Sequence, residues 1–475
     1  MIKRPRIYIS AAHKSSGKTT LSIGLMAALH GLGHKVYPFK KGPDYIDPMW
    51  LARASERPCY NLDFNTQDGA EIEQLFARCS SDDGISIIEG NKGLYDGVDL
   101  YGSDSNAALA KRIDAPVILV LDASGITRGI APLVLGYQAF DREVNIAGVI
   151  LNKVGSARVE DKLRSVLEEY TDVPVLGAVG RDDALSVRER HLGLTPPEEF
   201  GELDAIIDRL RIKVEASVDL GAVVAVAGDA SPLNIEPPAP EIVSSEERVR
   251  IGVARDAAFG FYYRDDLQAL EQAGAELVFF NALEDKQLPD VDGLFMGGGF
   301  PETQMAELSV NKSLMADIAK AAKQGMPIYA ECGGLMYLTR SITWGETRFD
   351  MVGVIEADTV MHAKPQGRGL VILERTQNHP WLFAGDEVAE PKPGADGLAA
   401  LAAHEFHYAG LENISSDLNY AYRVLRGSGI DGAYDGIVVN NVLANFAHLR
   451  QTSRLKWASE YVAFVRAKMN DNSDE

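Results

Sequence analysis

Short unbroken apolar runs alternate along this chain with longer stretches in which apolar positions recur every three to four residues. The runs at 6–10, 36–39, 85–88, 117–121 and 146–151 have the length and character of buried core strands. The periodic stretches between them read as covering helices. The first is expected from about Thr19 to Leu32, with Gly31 and Gly33 suited to its C-terminal end. Strands and helices alternating in this way build a parallel sheet covered on both faces, an α/β fold.

The pattern stops between Ser231 and Pro240, where four prolines in ten residues oppose helix and sheet alike. A polar continuation reaches Arg248, and a new α/β pattern starts at Arg250-Ile251-Gly252-Val253-Ala254. The chain therefore divides into a domain over 1–230, a linker over 231–247 and a second domain over 248–475. Residues 470–475 read as a frayed tail, and there is no internal repeat.

Composition narrows the setting. The 475 residues are 46% hydrophobic and 24% charged, as in an ordinary globular protein. No apolar run approaches the roughly 20 residues of a membrane span. The chain enters a strand directly after Met1-Ile2-Lys3-Arg4-Pro5, with no leader pattern, and its three cysteines lack metal-ligand spacing. Both features predict a reducing, cytoplasmic setting. A formal charge of −21 opposes nucleic-acid binding, although local basic groups can still hold an anionic ligand.

Two constellations carry chemistry. After the first strand comes Ser15-Ser16-Gly17-Lys18-Thr19-Thr20, the end of a phosphate-binding loop, with Ala12 where the usual first glycine would stand. Backbone amides here would cradle the phosphates of ATP, Lys18 would reach the terminal ones, and Thr19 would bind Mg²⁺. Later strands end at Gly42-Pro43-Asp44-Tyr45-Ile46-Asp47-Pro48 and at Glu89-Gly90 through Tyr95-Asp96-Gly97. Ligands of open α/β sheets collect at the carboxyl ends of strands, so Asp44, Asp47, Glu89 and Asp96 should converge there. Asp44 and Glu89 are expected to join Thr19 at Mg²⁺, and Asp47 and Asp96 to position the acceptor. Turn capping is the alternative for these aspartates. Asn152, at the end of another strand, is a candidate for adenine contact, and Asp122 is a candidate cap.

The second constellation is Ile328-Tyr329-Ala330-Glu331-Cys332-Gly333-Gly334-Leu335. An apolar strand that ends at a thiol followed by two glycines and a helix has the layout of a nucleophile elbow. The helix N-terminus is expected to favour the thiolate. Gly297-Gly298-Gly299 either offers amides to an oxyanion or is a flexible turn. His448, after an apolar run, is a candidate base for Cys332, or else a hydrogen-bonded structural histidine. His404-Glu405-Phe406-His407-Tyr408 reads as a polar and aromatic ligand surface, or else an ordinary exposed strand.

In their order along nearly the whole chain, these motifs resemble those of the cobyrinic acid a,c-diamide synthases, glutamine-dependent amidases of tetrapyrroles. The supporting stretches are Ser16–Thr20, Phe39-Lys40-Lys41-Gly42 through Pro48, Glu89–Gly97, Asp256–Tyr263, Gly298–Glu302, Glu331–Gly334 and His404–Tyr408. The resemblance implies two doubly wound α/β domains, the first like dethiobiotin synthetase and the second a class I glutaminase. It implies Cys332 as nucleophile and His448 as its base. Many class I glutaminases carry a Glu two residues after that His. Arg450 stands there in this chain, so a Cys–His dyad is expected.

The implied reaction uses ATP to convert a substrate acetate into an acyl phosphate, and L-glutamine to supply ammonia through an enclosed passage from Cys332 to the Asp44 and Glu89 region. The implied acceptor is a polycarboxylate tetrapyrrole, cobyrinic or hydrogenobyrinic acid first and sirohaem as the alternative. A non-catalytic glutamine or nucleotide sensor is the alternative of another class, and a homodimer is an open question of assembly.

Overall fold

The computed structural model describes residues 1–182, 189–190, 193–196, 203–236, 248–381 and 400–473. The chain forms two compact units, Met1–Ala239 and Pro240–Glu475. Residues 237–247 of the expected linker lie outside the described residues. Its first six pack into the first unit: Ile2 and Leu233 exchange backbone hydrogen bonds of 2.9 Å, and Leu233 and Ile235 are buried.

The first unit holds a parallel seven-stranded sheet of β1 (Arg6–Ala11), β2 (Lys35–Lys41), β3 (Tyr60–Leu62), β4 (Gly84–Glu89), β5 (Val117–Asp122), β6 (Ile146–Val154) and β7 (Val175–Gly180), in the order β3-β2-β4-β1-β5-β6-β7. Every residue of β1 is buried, as its apolar run requires. Because β1 lies between β4 and β5, the chain reverses direction across the sheet at this point, where ligand-binding loops gather. Helix α1 (Lys18–Gly31) leaves the phosphate-loop motif directly. Gly33, at φ +88°, closes its far end by donating to His30 O while His34 donates to Leu29 O.

The second unit is built on a nine-stranded mixed sheet. Its parallel half runs 275–280, 249–254, 293–296, 328–331 and 442–445. An antiparallel half of 434–439, 419–426, 367–375 and 400–407 continues it, an extension that the sequence pattern did not disclose. Strand Ile328–Glu331 lies inside the parallel half, and its alternation splits two apolar layers. Ile328 and Ala330 face Met296, Leu335 and Phe446. Tyr329 faces an aromatic layer, stacked on Phe295 with ring centroids 5.3 Å apart and packed against Trp381 and Trp457. The final helix, Trp457–Ser473, is continuous through most of the expected tail.

Arg6, the charged first residue of β1, is fully buried. Its guanidinium donates to Ile113 O (2.6 Å), Arg4 O, Asp114 O and Ser231 O (each 2.8 Å), tying the strand to two distant segments. Arg6→Met would strand those carbonyls and should destabilise this unit by about 3 kcal/mol. Calorimetry of the full chain should then show one unit's transition lowered by roughly 6–12 °C and the other's unmoved.

Candidate functional site

Each unit presents its own centre. In the first, Ser15 (φ +62°) and Gly17 (φ +84°) curl the loop ahead of α1. Gly17 is required twice over, since a Cβ there would also meet Asn152 Nδ2 at 2.2 Å. That same amide donates to Ser16 O (2.8 Å), and Lys153 Nζ donates to Ser15 O (2.7 Å) while pairing with Asp122 (2.8 Å). The loop is thus clamped from β6. Asp122 does cap, accepting from Ser124 N at 2.9 Å, but it also holds the Lys153 clamp. Beside Gly17, Thr20 and Asn152 lies a cavity of about 360 Å³, lined also by Lys153, Arg181 and Lys213. Its size and basic rim suit a nucleoside with attached phosphates.

Lys18 donates to Lys92 O at 2.7 Å, and burial pulls its ammonium down to about 8 against the opposing pull of Glu89. Thr19 Oγ1 donates to Glu89 Oε1 (2.7 Å) and lies 3.3 Å from Asp47 Oδ2. Lys40 stands at the centre of the carboxylates, bonded to Asp47, 3.0 Å from Glu89 Oε1 and 3.7 Å from Asp44. Burial raises both Asp44 and Glu89, with Asp47 adding to the first and Lys40 opposing the second. Three of the four expected carboxylates therefore gather around one ammonium. Asp96 instead caps a turn, accepting from Gly93 N at 2.9 Å. Asp44 also caps, with Oδ1 accepting from Ile46 N and Asp47 N at 3.0 Å.

Mg²⁺ fits this donor set. Glu89 is fully buried, and its Oε2 accepts no hydrogen bond, while its Oε1 takes the Thr19 hydroxyl and the Lys40 ammonium. Among the described residues no group of three or more His, Cys, Asp or Glu could hold a metal ion by itself.

In the second unit Cys332 has φ +47° and ψ −99°, the strained turn of an elbow, with its N–H donating to Asn445 O at 2.7 Å. Gly334 N donates to Gly297 O (3.1 Å), and a Cβ on Gly334 would lie 2.2 Å from Met296 O. Only glycine lets the elbow approach that strand end. The thiolate expected from the helix N-terminus is opposed: burial, then Glu302 and Glu331, push the Cys332 thiol up. A helix of six residues does not offset this.

The glycine run is a short ladder, not a loose turn. Gly298 and Gly299 pair with Phe261 and Phe259, and Gly297 N is taken by the Tyr262 hydroxyl at 2.9 Å. Gly297 therefore offers no amide to an oxyanion. His448 packs on this ladder, since a Cβ on Gly298 would meet its Cε1 at 2.5 Å. A Cβ on Gly333 would meet Gly299 N at 3.0 Å, so the base candidate and the elbow rest on the same glycine pair.

The ligand-surface expectation for residues 404–408 does not describe their contacts. His404 is buried, stacked 5.0 Å from His448 and bridged to its backbone, and burial holds His404 well below the usual imidazole range. Glu405 accepts from Ser428 N and Gly429 N, and His407 stacks on Phe446 with centroids 3.9 Å apart. Three of the five side chains thus hold the sheet together.

Sequence reasoning passed over Lys40, Lys153 and Glu331. The signal for Lys40 and Glu331 was a charge at the end of an apolar strand, which has no place in a core unless a partner waits there.

Family models match both units: a CobQ/CobB/MinD/ParA nucleotide binding domain over residues 8–193, and a CobB/CobQ-like glutamine amidotransferase domain over 250–455. A cobyrinate a,c-diamide synthase of Magnetococcus marinus is 41% identical over 469 residues, 98% of each chain. One from Methanosarcina barkeri is 40% identical, covering 97% of this chain and 96% of its own. Among solved structures, PurLQS from Thermotoga maritima aligns with 47% of this chain and 99% of its own, at 18% identity and a TM-score of 0.35. Among the described residues no helix is long and apolar enough to cross a membrane.

Gly298→Ala tests the shared glycine platform. Its methyl should displace the His448 ring, and a misplacement near 1 Å is worth on the order of 10²-fold in rate. Glutamate release from glutamine should fall by that order, with the thermal transition of the second unit kept.

Proposed function

The chain belongs to the cobyrinate a,c-diamide synthase family, and on that premise we propose that it amidates acetate carboxylates of a corrinoid tetrapyrrole through an acyl phosphate, with ammonia released from glutamine at Cys332. The observation that carries the reading is the full-length match to relatives of that name in a chain that keeps both centres: a clamped phosphate loop in one unit and a strained thiol elbow in the other.

A carboxylate resists an amine because it is anionic and lacks a leaving group. Lys18 supplies positive charge where the γ-phosphate and the acetate must meet, and the loop amides hold the phosphates in line. Thr19 and Glu89, with Asp44 beside them, would hold Mg²⁺, which neutralises charge between phosphate oxygens. Asp47 orients the Lys40 ammonium. Val98, Leu100 and Tyr101, the last two more than 90% exposed, follow Asp96 directly and suit the apolar face of a macrocycle. The names of the relatives favour a corrinoid acceptor over sirohaem.

In the glutaminase half, His448 takes the thiol proton as sulfur attacks the glutamine amide carbon. It returns that proton to the leaving nitrogen, and water then cleaves the thioester to glutamate. The pocket does not sustain a standing thiolate, so the proton leaves as the substrate carbonyl arrives.

Cobyrinic acid, ATP, Mg²⁺ and glutamine, followed by mass counting of added amides, tests the whole. Cys332→Ala should lose glutamine-driven product by more than on the order of 10³-fold, yet keep ammonium-driven product. Lys18→Ala should lose both by at least on the order of 10²-fold. No mass gain from any nitrogen source by the unaltered protein would refute the corrinoid assignment.

A further inference from the structure

His448 has a carboxylate behind it, and that carboxylate does not come from the position two residues downstream. Arg450 at that position is buried and committed elsewhere. Its Nη2 and Nε lie 2.8 and 3.2 Å from Asp265 Oδ2, and its guanidinium covers the Tyr263 ring at 4.7 Å. The group facing the imidazole is Glu331, the residue before the nucleophile. Its Oε2 lies 3.3 Å from His448 Nδ1, and both side chains are almost wholly buried. Its other oxygen accepts from Leu449 N at 2.9 Å and from the Tyr329 hydroxyl. One carboxylate therefore faces the ring of His448 at ion-pair range and accepts from the backbone just after it. Among the described residues no Lys or Arg reaches Glu331 within ion-pair distance, so its charge is directed at the imidazole.

We propose that Glu331 is the positioning residue of the glutaminase centre, holding His448 through Nδ1 so that proton exchange with Cys332 runs through Nε2. The inference rests on the reading of Cys332 as nucleophile. It replaces the expected dyad with a Cys–His–Glu set whose carboxylate comes from the elbow strand. The bonds balance as follows. The S–H bond breaks to Nε2 while C–S forms, and that proton passes to nitrogen as C–N breaks and ammonia departs. Water then gives one proton to Nε2 and hydroxide to the acyl carbon; C–S breaks, the Nε2 proton returns to sulfur, and glutamate leaves. In this scheme Glu331 only orients the ring, as the carboxylate of a hydrolase triad does.

The full-length enzyme tests this with Glu331→Gln and Glu331→Asp, assayed with glutamine and with ammonium salt. Glu331→Gln should lower kcat for glutamine by on the order of 10²-fold or more, because the uncharged amide neither fixes the ring nor stabilises imidazolium. KM for glutamine should stay within about threefold, and ammonium-driven amidation within about twofold, since neither ligand meets Glu331. Glu331→Asp should recover part of the lost rate, and labelling of Cys332 by a diazoketone glutamine analogue should slow in parallel with kcat. Near-normal glutamine turnover in Glu331→Gln overturns the proposal. So does equal loss with both nitrogen sources in both variants, which would make Glu331 a fold residue only. Glutamine turnover that survives in Cys332→Ala would instead defeat the nucleophile reading, whatever Glu331 does.

Discussion

A charge in the buried end of a strand must be matched inside the same pocket, because an isolated buried ion costs several kcal/mol and breaking a buried pair about 3–5. Both centres of this protein are built on that constraint. Lys40, next to last in β2, is met by Asp47 and Glu89; Glu331 ends the elbow strand and is met by His448. Each charge sits close to the loop to which the proposed chemistry is assigned. The match therefore fixes the loop as well as the strand, and the reactive geometry is set by folding before any substrate binds.

The two solutions differ in what they leave unsatisfied. Around Lys40 there are more carboxylates than one ammonium can neutralise, and Asp44 and Glu89 are held above the usual carboxylate range. One oxygen of Glu331 accepts from a phenol hydroxyl and a backbone amide, and the other faces an imidazole at 3.3 Å. That site stays closed and lends direction instead of binding capacity. One unit is prepared for a cationic guest, the other for the transfer of a proton.

Much of the parallel architecture was legible in the apolar runs, because strands buried on both faces leave no alternative period to read. β1, β4 and β5 fall within a residue of their runs. The antiparallel half of the second sheet was not legible. Its strands carry internal polar anchors such as Glu405 and His407, which read as surface chemistry until their partners Ser428, Gly429 and Phe446 are seen. The motif residues with special backbone, Gly17 and Cys332, announced themselves by spacing. Lys40, Lys153 and Glu331 did not, since their roles depend on groups 49, 31 and 117 positions away. Pairing of that kind is a property of the folded topology and leaves no local period.

The burial that raises the Cys332 thiol gives Glu331 two opposed effects. Its charge disfavours an adjacent thiolate and favours an adjacent imidazolium. A pair of unit charges about 4 Å apart interacts by about 4 kcal/mol at an effective dielectric near 20, so neither effect is negligible. The opposition to the thiolate adds to desolvation and favours the thiol. Once the glutamine carbonyl lies against sulfur, negative charge moves off sulfur and onto the amide oxygen. Repulsion from Glu331 then weakens with distance, while its hold on the imidazolium at 3.3 Å remains. On the proposed mechanism, the same carboxylate that opposes the thiolate therefore assists the transition state. A carboxylate behind His448 contributed from further downstream, away from Cys332, would supply only the second of these effects. Placing it next to the nucleophile in the chain supplies both.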